Sequence, residues 1–130
     1  VGTGHLYQGR YKSFLIEGDN HLLSVIRYVE RNALRAKLVK KAEDWDFCSL
    51  SRRLSNDDVK NKLLDPLPIS RPQNYLSFVN TPMKETEIET IRYSVNRGKP
   101  FGYDSWSDVM ISKYKLMATT RKRGRQIKGT

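Results

Sequence analysis

The sequence predicts a mainly helical fold with one or two short strands, and three segments carry that prediction. Apolar residues recur at helical spacing over residues 20–32. Over residues 84–97, glutamates near the start and arginines near the end complement a helix dipole, and Gly98 is a suitable C-terminal stop. Residues 10–17 alternate imperfectly between two faces, which is typical of a single strand.

The first half of the chain is predicted to place one helix beside that strand. Asp19 follows the turn-forming Gly18 and is the expected N-cap of the helix over residues 20–32. This helix is predicted to have a core-facing apolar arc, and a second short helix is expected over residues 34–41. Apolar residues further along the chain are expected to close over both helices. The arc comprises Leu22, Ile26, Val29 and Ala33, and the closing residues are Trp45, Phe47 and Leu50.

The second half is predicted to be helical beyond a linker. Residues 55–70 include Pro66 and Pro68 and are expected to have little regular structure. Helices are expected from residue 71 to just before Pro82, over residues 84–97, and over residues 105–116 with Ser105 as N-cap. The last of these is predicted to bury Trp106, Val109 and Met110. The chain then divides into a strand-and-helix part (1–54), a linker (55–70), a helical extension (71–117) and a flexible basic tail (118–130).

The composition indicates a globular chain with a polyanionic partner. Of its 130 residues, 38% are hydrophobic and 29% charged, and the net charge is +10. Residues 121–128 contain basic side chains and no acid, so they form either a phosphate-neutralising arm or a solvated tail. No apolar run approaches the length of a membrane span. The only cysteine, Cys48, excludes an internal disulfide framework, and a reducing cytoplasm is the expected location.

The pair most informative about chemistry is Tyr28 and Asn32. Positions four apart project from the same face of a helix, so a phenol and a carboxamide would share one site. His21 and Arg35 fall on the same polar arc, about 120° from the apolar one. A phosphodiester site can use all four groups. The alternative is a half-buried tyrosine on the flank of a packed helix.

Several segments together resemble one protein family. They are GHLYQGRYKSF (4–14), DNHLL (19–23), RYVERNALRA (27–36), EDW (43–45), SL (49–50), LDPLP (64–68), RP (71–72), FVN (78–80), RYSVNRGKPFG (92–102) and RKRGR (121–125). In this order they resemble the second half of the REP-associated tyrosine transposases, which are single-tyrosine HUH endonucleases. The resemblance extends over nearly the whole chain.

The resemblance implies cleavage and rejoining of single-stranded or hairpin DNA. A tyrosine of such enzymes attacks a phosphodiester and leaves a 5′-phosphotyrosine and a free 3′-hydroxyl, while a divalent ion polarises the phosphate. By motif, Tyr28 would be the nucleophile and Asn32 a ligand to Mg²⁺ or Mn²⁺ from the same helix. A phenol is a poor nucleophile at neutral pH, and a hard ion prefers oxygen ligands, so this assignment is chemically sound.

The resemblance also implies what this chain lacks. The family's metal site needs two histidines around one hydrophobic residue on an upstream strand, whereas His5 and His21 are sixteen positions apart. The chain is therefore expected to be the C-terminal part of a ferredoxin-like HUH nuclease domain plus a helical extension. By itself the chain is expected to be inactive and to have no complete metal site. Its exposed strand edge could pair with a second copy to form a homodimer.

DNA contacts are expected from basic residues along the chain. A second interpretation of the chain's function stays open. In that interpretation the chain is a non-catalytic basic DNA- or RNA-binding module in which Tyr28 is structural. The expected DNA contacts are Arg10, Lys12, His21, Arg35, Arg121, Lys122, Arg123, Arg125 and Lys128.

Overall fold

The computed structural model describes residues 12–55, 57 and 64–121, and this part of the chain is mainly helical, as predicted. None of its helices is long and apolar enough to cross a membrane. The α-helices are α1 (Gly18–Glu30), α2 (Asn32–Arg35), α3 (Ser49–Leu54), α4 (Tyr75–Asn80), α5 (Glu85–Arg97) and α6 (Asp104–Lys113), and two 3₁₀ turns lie at Ala42–Asp44 and Met117–Thr120.

The predicted strand over residues 10–17 is reduced, within the described residues, to one parallel bridge between Ile16 and Phe101. The Phe101 N–H donates to the Leu15 carbonyl at 2.8 Å, and the Glu17 N–H donates to the Phe101 carbonyl at 2.9 Å. The strand prediction was therefore too long, because the only extended partner in the described part of the chain is a single residue. Arg10 and the residues before it lie outside the described part.

Helix α1 begins earlier than predicted and ends before Asn32. Its N-cap is Glu17, and Asp19 lies in its first turn, so the prediction of Asp19 as N-cap was wrong. There Asp19 still complements the positive end of the helix dipole. At Arg31 the backbone flattens to ψ −2°, and α2 then runs only to Arg35. Tyr28 and Asn32 consequently lie on successive helices, and not on one helix as predicted.

A second short helix is present as α2 (Asn32–Arg35), but the range predicted for it, residues 34–41, was wrong. The backbone leaves the helical region at Lys37, which has a left-handed φ of 61°. Its N–H donates to the Leu34 carbonyl, and the Leu38 N–H donates to the Ala33 carbonyl at 2.9 Å. These bonds satisfy carbonyls that end α2. A left-handed lysine is not evident from sequence because glycine usually fills that position.

Two core clusters lie on different sides of α1, which packs against α4 and α5. Because both sides of α1 are covered, the predicted single apolar arc was only partly right. Ala33 is buried, but Val29 is 53% exposed, so its assignment to the core was wrong. The first core cluster is Ala42, Leu50, Tyr75 and Val79 with Leu23, Ile26, Leu34, Cys48 and Phe78 around it. The second core cluster is Met83, Ile88, Ile91 and Phe101 with Phe14, Ile16, Val25, Tyr28 and Val95 around it.

The second half matches its prediction more closely, although α4 begins at Tyr75 and not at residue 71 as predicted. Helix α5 ends where predicted, at Gly98, whose φ of 75° gives the left-handed C-cap. Helix α6 starts one residue earlier than predicted, with Tyr103 and not Ser105 as N-cap, and it ends at Lys113 and not at residue 116. It buries Ser107 and Ile111.

Besides Val29, two apolar residues that were expected in the core lie at the surface. Val109 is 58% exposed, and Phe47, expected to close over the first helices, is 79% exposed. Leu50 is fully buried, as expected. The boundaries 1–54, 55–70, 71–117 and 118–130 stay predictions, although each core cluster combines residues from both sides of the proposed linker.

Candidate functional site around Tyr28

Arg35 connects Tyr28 and Asn32, the two residues of the predicted catalytic pair. Its Nη1 donates a hydrogen bond to Asn32 Oδ1 at 2.8 Å, and its Nη2 donates to the backbone carbonyl of Tyr28 at 3.2 Å. Its Cζ lies 4.3 Å from the centroid of the Tyr28 ring, which is a cation–π contact. Arg35 therefore spans the break between α1 and α2 and keeps the phenol and the carboxamide in one site.

The environment of this group combines partial burial with positive charge. Tyr28 is half-buried against the second core cluster, whereas Asn32 is exposed. Burial is the largest of the effects that lower the pKa of Arg35, and the like charge of Arg92 lowers it further. Tyr28 and Glu85 raise the pKa of Arg35 and so partly offset this change. Because an arginine pKa starts so high, the guanidinium stays charged at neutral pH. The site can therefore present a fixed cation beside a phenol.

Two members of a row of arginines, which the sequence analysis missed, anchor α1 and the residue that follows it to the end of α4. Arg27, Arg31 and Arg35 are spaced four residues apart and share one side of the chain. Arg27 Nη2 donates to the Thr81 carbonyl at 2.6 Å, and Arg31 Nη1 donates to the Val79 carbonyl at 2.7 Å. Guanidinium groups thus satisfy carbonyls at or just beyond the helix end. The regular arginine spacing was the sequence signal that could have revealed this anchor.

Arg31 is the most buried member of the row, with 8% of its surface exposed. Desolvation is the largest cause that lowers its pKa, followed by the charges of Arg35 and Arg27. Its bond to the Val79 carbonyl compensates the burial of its charge. The row therefore serves the packing of α1 as much as it supplies positive charge.

Glu30, also missed, fixes α1 against α3 and α4. Glu30 is 2% exposed, and its carboxylate accepts hydrogen bonds from the Ser49 hydroxyl at 3.1 Å and from the Tyr75 hydroxyl. Burial, followed by this bond to Glu30, raises the pKa of Tyr75. A buried carboxylate needs such donors because its desolvation is otherwise costly. The three residues set the position from which Tyr28 projects, two residues before Glu30.

His21 has an aromatic environment. Its ring makes edge-to-face contacts with Phe101 at 5.3 Å and with Tyr103 at 4.9 Å between centroids. His21, Val25 and Tyr28 follow helical spacing, and the last two pack against the second core cluster, which includes Phe101. The structure thus brings His21 and Tyr28 to one side of α1, as predicted, but this side is largely packed.

Within the described residues, the structure shows no contact between the remaining predicted DNA-binding residues and Tyr28. Lys12 and Arg121 are exposed, near the two ends of the described part of the chain. Arg10, Lys122, Arg123, Arg125 and Lys128 lie outside the described residues. Of the predicted site residues, Tyr28, Asn32 and Arg35 alone are joined by contacts that the structure describes.

The predicted chemistry also requires ligands for a divalent ion. Among residues 12–55, 57 and 64–121, no three His, Cys, Asp or Glu side chains converge on a possible metal position. Asn32 offers one carboxamide oxygen, and that oxygen accepts a hydrogen bond from cationic Arg35. A metal ion would compete with the guanidinium for it. The described residues alone therefore do not fit the metal that the resemblance implies.

Comparisons of this chain with protein-family models, with curated proteins and with solved structures gave no match.

Proposed function

We propose that this chain is the tyrosine-bearing part of a transposase that cleaves and rejoins single-stranded or hairpin DNA. The observation that carries the proposal is the contact of Arg35 with both Tyr28 and Asn32. A phenol, a carboxamide and a guanidinium in contact are suited to hold and attack a phosphodiester. The motifs at 4–14, 27–36 and 92–102 support the same assignment, with the chain as the C-terminal part of a ferredoxin-like HUH nuclease domain plus a helical extension.

In this proposal the Tyr28 oxygen attacks the phosphorus atom. A tyrosine O–P bond forms and the bond from phosphorus to the 3′ oxygen breaks, which leaves a 5′-phosphotyrosine. The phenol loses its proton to solvent, and the leaving oxygen gains one to become a 3′-hydroxyl. Attack by another 3′-hydroxyl on the phosphotyrosine reverses these changes and rejoins DNA.

Arg35 has two roles in that reaction. Its contact with the Tyr28 ring and backbone carbonyl restricts the phenol to one orientation. Its positive charge also lies beside the position where negative charge develops on the phosphoryl oxygens. A net charge of +10 supports a polyanionic substrate and fast capture of it.

The proposal is tested with hairpin DNA and Mg²⁺ or Mn²⁺. A version extended upstream by a strand that carries a His-hydrophobic-His pair should form protein–DNA adducts that survive denaturation, and the present chain should not. Tyr28→Phe should abolish the adducts with little effect on binding, and Asn32→Ala should weaken cleavage in a metal-dependent way. Tyr114→Phe, at a 53% exposed tyrosine, is the matched control. Robust adducts from Tyr28→Phe would contradict the proposal.

One observation favours a second function, a non-catalytic basic DNA- or RNA-binding module. Tyr28 packs against the second core cluster and its backbone carbonyl accepts a hydrogen bond from Arg35, so the residue also has a structural role. In that case Tyr28→Phe would leave nucleic-acid binding intact and no adduct would form with any version of the protein. The same adduct assay therefore separates the two functions.

A further inference from the structure

A groove with a volume of about 420 Å³ lies between α5 and α6, and neither Tyr28 nor Arg35 lines it. One face of α5 forms one wall, the first turn of α6 forms the other, and the loop at residues 99–102 closes one end. Its chemically distinctive lining residues are Glu89, Tyr93, Ser94, Lys99, Asp104 and Ser107.

The floor of the groove is buried and its rim is charged. Ser94 and Ser107 are each 2% exposed, and the Ser107 hydroxyl donates to the Pro100 carbonyl at 3.4 Å. Glu89 and Asp104 are exposed at the rim, and neither has an ion-pair partner among the described residues. Two free carboxylates on a strongly basic protein form a local acceptor site, which disfavours a bare phosphate as the whole ligand.

An aromatic ring and a cation complete the groove. Tyr93 is 41% exposed, and the Lys99 ammonium lies 5.7 Å from the centroid of its ring. The Tyr93 hydroxyl donates to the Thr119 carbonyl at 3.3 Å, so the ring is held in place. A held, exposed ring beside a lysine suits a nucleotide, because the base can stack on the ring while the ammonium neutralises a phosphate.

We propose that the groove binds one unpaired nucleobase that carries an amino group, with its phosphate at Lys99. Tyr93 provides the stacking surface, and Glu89 and Asp104 accept hydrogen bonds from the amino group, as acidic side chains accept from the N4 amino group of cytosine. This inference rests on the proposed function in one respect, since it takes single-stranded DNA to be the occupant. To the proposed function, this inference adds that the protein selects a particular type of base.

The position of the groove agrees with a DNA occupant. Arg97 Nη2 donates to the Ala118 carbonyl at 3.2 Å, and with the Tyr93 bond to Thr119 it ties residues 117–120 to α5. The exposed Arg121 follows directly. Positive charge therefore starts beside the helix that forms one wall of the groove. A basic peptide, the other ligand that carboxylates attract, would meet Lys99 and a net charge of +10.

The test compares fluorescein-labelled oligo-dC and oligo-dT of about ten nucleotides by anisotropy, because a binding site covers a few to about sixteen nucleotides. The two bases differ in presenting an amino donor or a carbonyl acceptor at the same ring position. Tyr28→Phe protein is used throughout, so that no cleavage interferes. We expect oligo-dC to bind about five- to tenfold more tightly than oligo-dT.

Glu89→Gln separates base selection from general electrostatics. Removal of an acid makes the protein more basic, so electrostatics alone predicts tighter binding to both oligonucleotides. Base selection predicts instead that the preference for oligo-dC falls to about twofold or less. Asp108→Asn, at an exposed aspartate of α6 that does not line the groove, is the matched control and should keep the preference.

The stacking surface has its own control within the chain. Tyr93→Ala should weaken binding of both oligonucleotides by about fivefold or more, whereas Tyr93→Phe, which keeps the ring but loses the bond to Thr119, should restore most of it. Tyr114 has a similar lysine contact, with the Lys113 ammonium 5.4 Å from its ring, but lies outside the groove. Tyr114→Ala should therefore change binding little. Thermal unfolding of each variant checks that α5 and α6 remain folded.

Equal binding of oligo-dC and oligo-dT by the parent protein would overturn the proposal. Binding of a labelled oligolysine that depends on Glu89, without base preference, would overturn it in favour of a basic peptide. Adduct formation at Tyr28 does not enter this assay, so the base-binding groove and the nuclease function can fail separately.

Discussion

The guanidinium of Arg35 lies 4.3 Å over the ring of Tyr28 and donates a hydrogen bond to the backbone carbonyl of the same residue. One side chain thus fixes both the ring and the backbone of the proposed nucleophile. Since Arg35 belongs to α2 and Tyr28 to α1, the contact also joins two helices that the flattened backbone at Arg31 separates.

Arg35→Lys should lower the free energy of unfolding by about 1 to 3 kcal/mol. A lysine cannot donate simultaneously to Asn32 Oδ1 and the Tyr28 carbonyl while lying flat over the ring. Urea denaturation measures the change. Arg92→Lys, at an exposed arginine of α5, is the matched control and should alter stability by no more than about 0.5 kcal/mol. Equal effects of the two substitutions would contradict the bridging role of Arg35.

Gly102→Ala should destabilise the fold by about 1 to 3 kcal/mol. A Cβ at residue 102 would lie 2.6 Å from both Glu17 Cβ and Trp106 Cε3, so the loop and α6 would have to move. Gly18→Ala gives a comparison of a different kind, since nothing lies within 4 Å of its Cβ position and the cost comes only from a φ of 57°. That cost should be about 1 to 2 kcal/mol, measured by thermal unfolding. An unchanged midpoint for Gly102→Ala would disprove the close packing.

Stability should fall as the pH rises above about 10, the usual pKa of a tyrosine. Because the folded state raises the pKa of Tyr75, the folded protein keeps a proton that the unfolded chain releases. The stabilisation is therefore complete below pH of about 10 and declines at higher pH. Tyr75→Phe should reduce this dependence and cost about 1 to 3 kcal/mol at neutral pH, since Glu30 loses a donor. Urea unfolding at neutral and alkaline pH tests it, with Tyr103→Phe, at a 70% exposed tyrosine, as control.

Removal of residues 121–130 should make DNA binding less sensitive to salt. Each neutralised phosphate contributes about −0.7 to −0.9 to the slope of log K against log salt, so partial engagement of five cations predicts a loss of about two to four in slope. Anisotropy over a salt series measures it. Choice of the cleavage site should survive the deletion, because phosphate contacts position a protein without reading sequence. An unchanged slope would identify the segment as a solvated end.

Local signals in the sequence were enough to predict part of the fold. The charge gradient of α5 and the Gly98 C-cap are encoded in a few neighbouring residues, and they were predicted closely. Val29 was misplaced because helical periodicity assumes one buried face, whereas α1 is covered on two sides. The break at Arg31 was also missed, and so was the bond from Arg31 to the Val79 carbonyl, which joins residues 48 positions apart.

The candidate site shows the same division. Tyr28, Asn32 and Arg35 were placed together by helical spacing, and they are together, but through a guanidinium bridge across a helix break. The buried partners of Glu30 come from other helices, and no local pattern reveals them. Helical spacing predicts which residues lie near each other, whereas tertiary contacts determine which of their atoms form hydrogen bonds.

The most direct measurement maps the site of covalent attachment by mass spectrometry. A version extended upstream by a strand that carries a His-hydrophobic-His pair is incubated with hairpin DNA and Mn²⁺, digested with nuclease and protease, and searched for a tyrosine that carries a 5′-phosphonucleotide. We predict the modification on Tyr28 alone among the chain's seven tyrosines. A modified tyrosine elsewhere, or cleavage of DNA without any modified tyrosine, would contradict the assignment of Tyr28 as nucleophile.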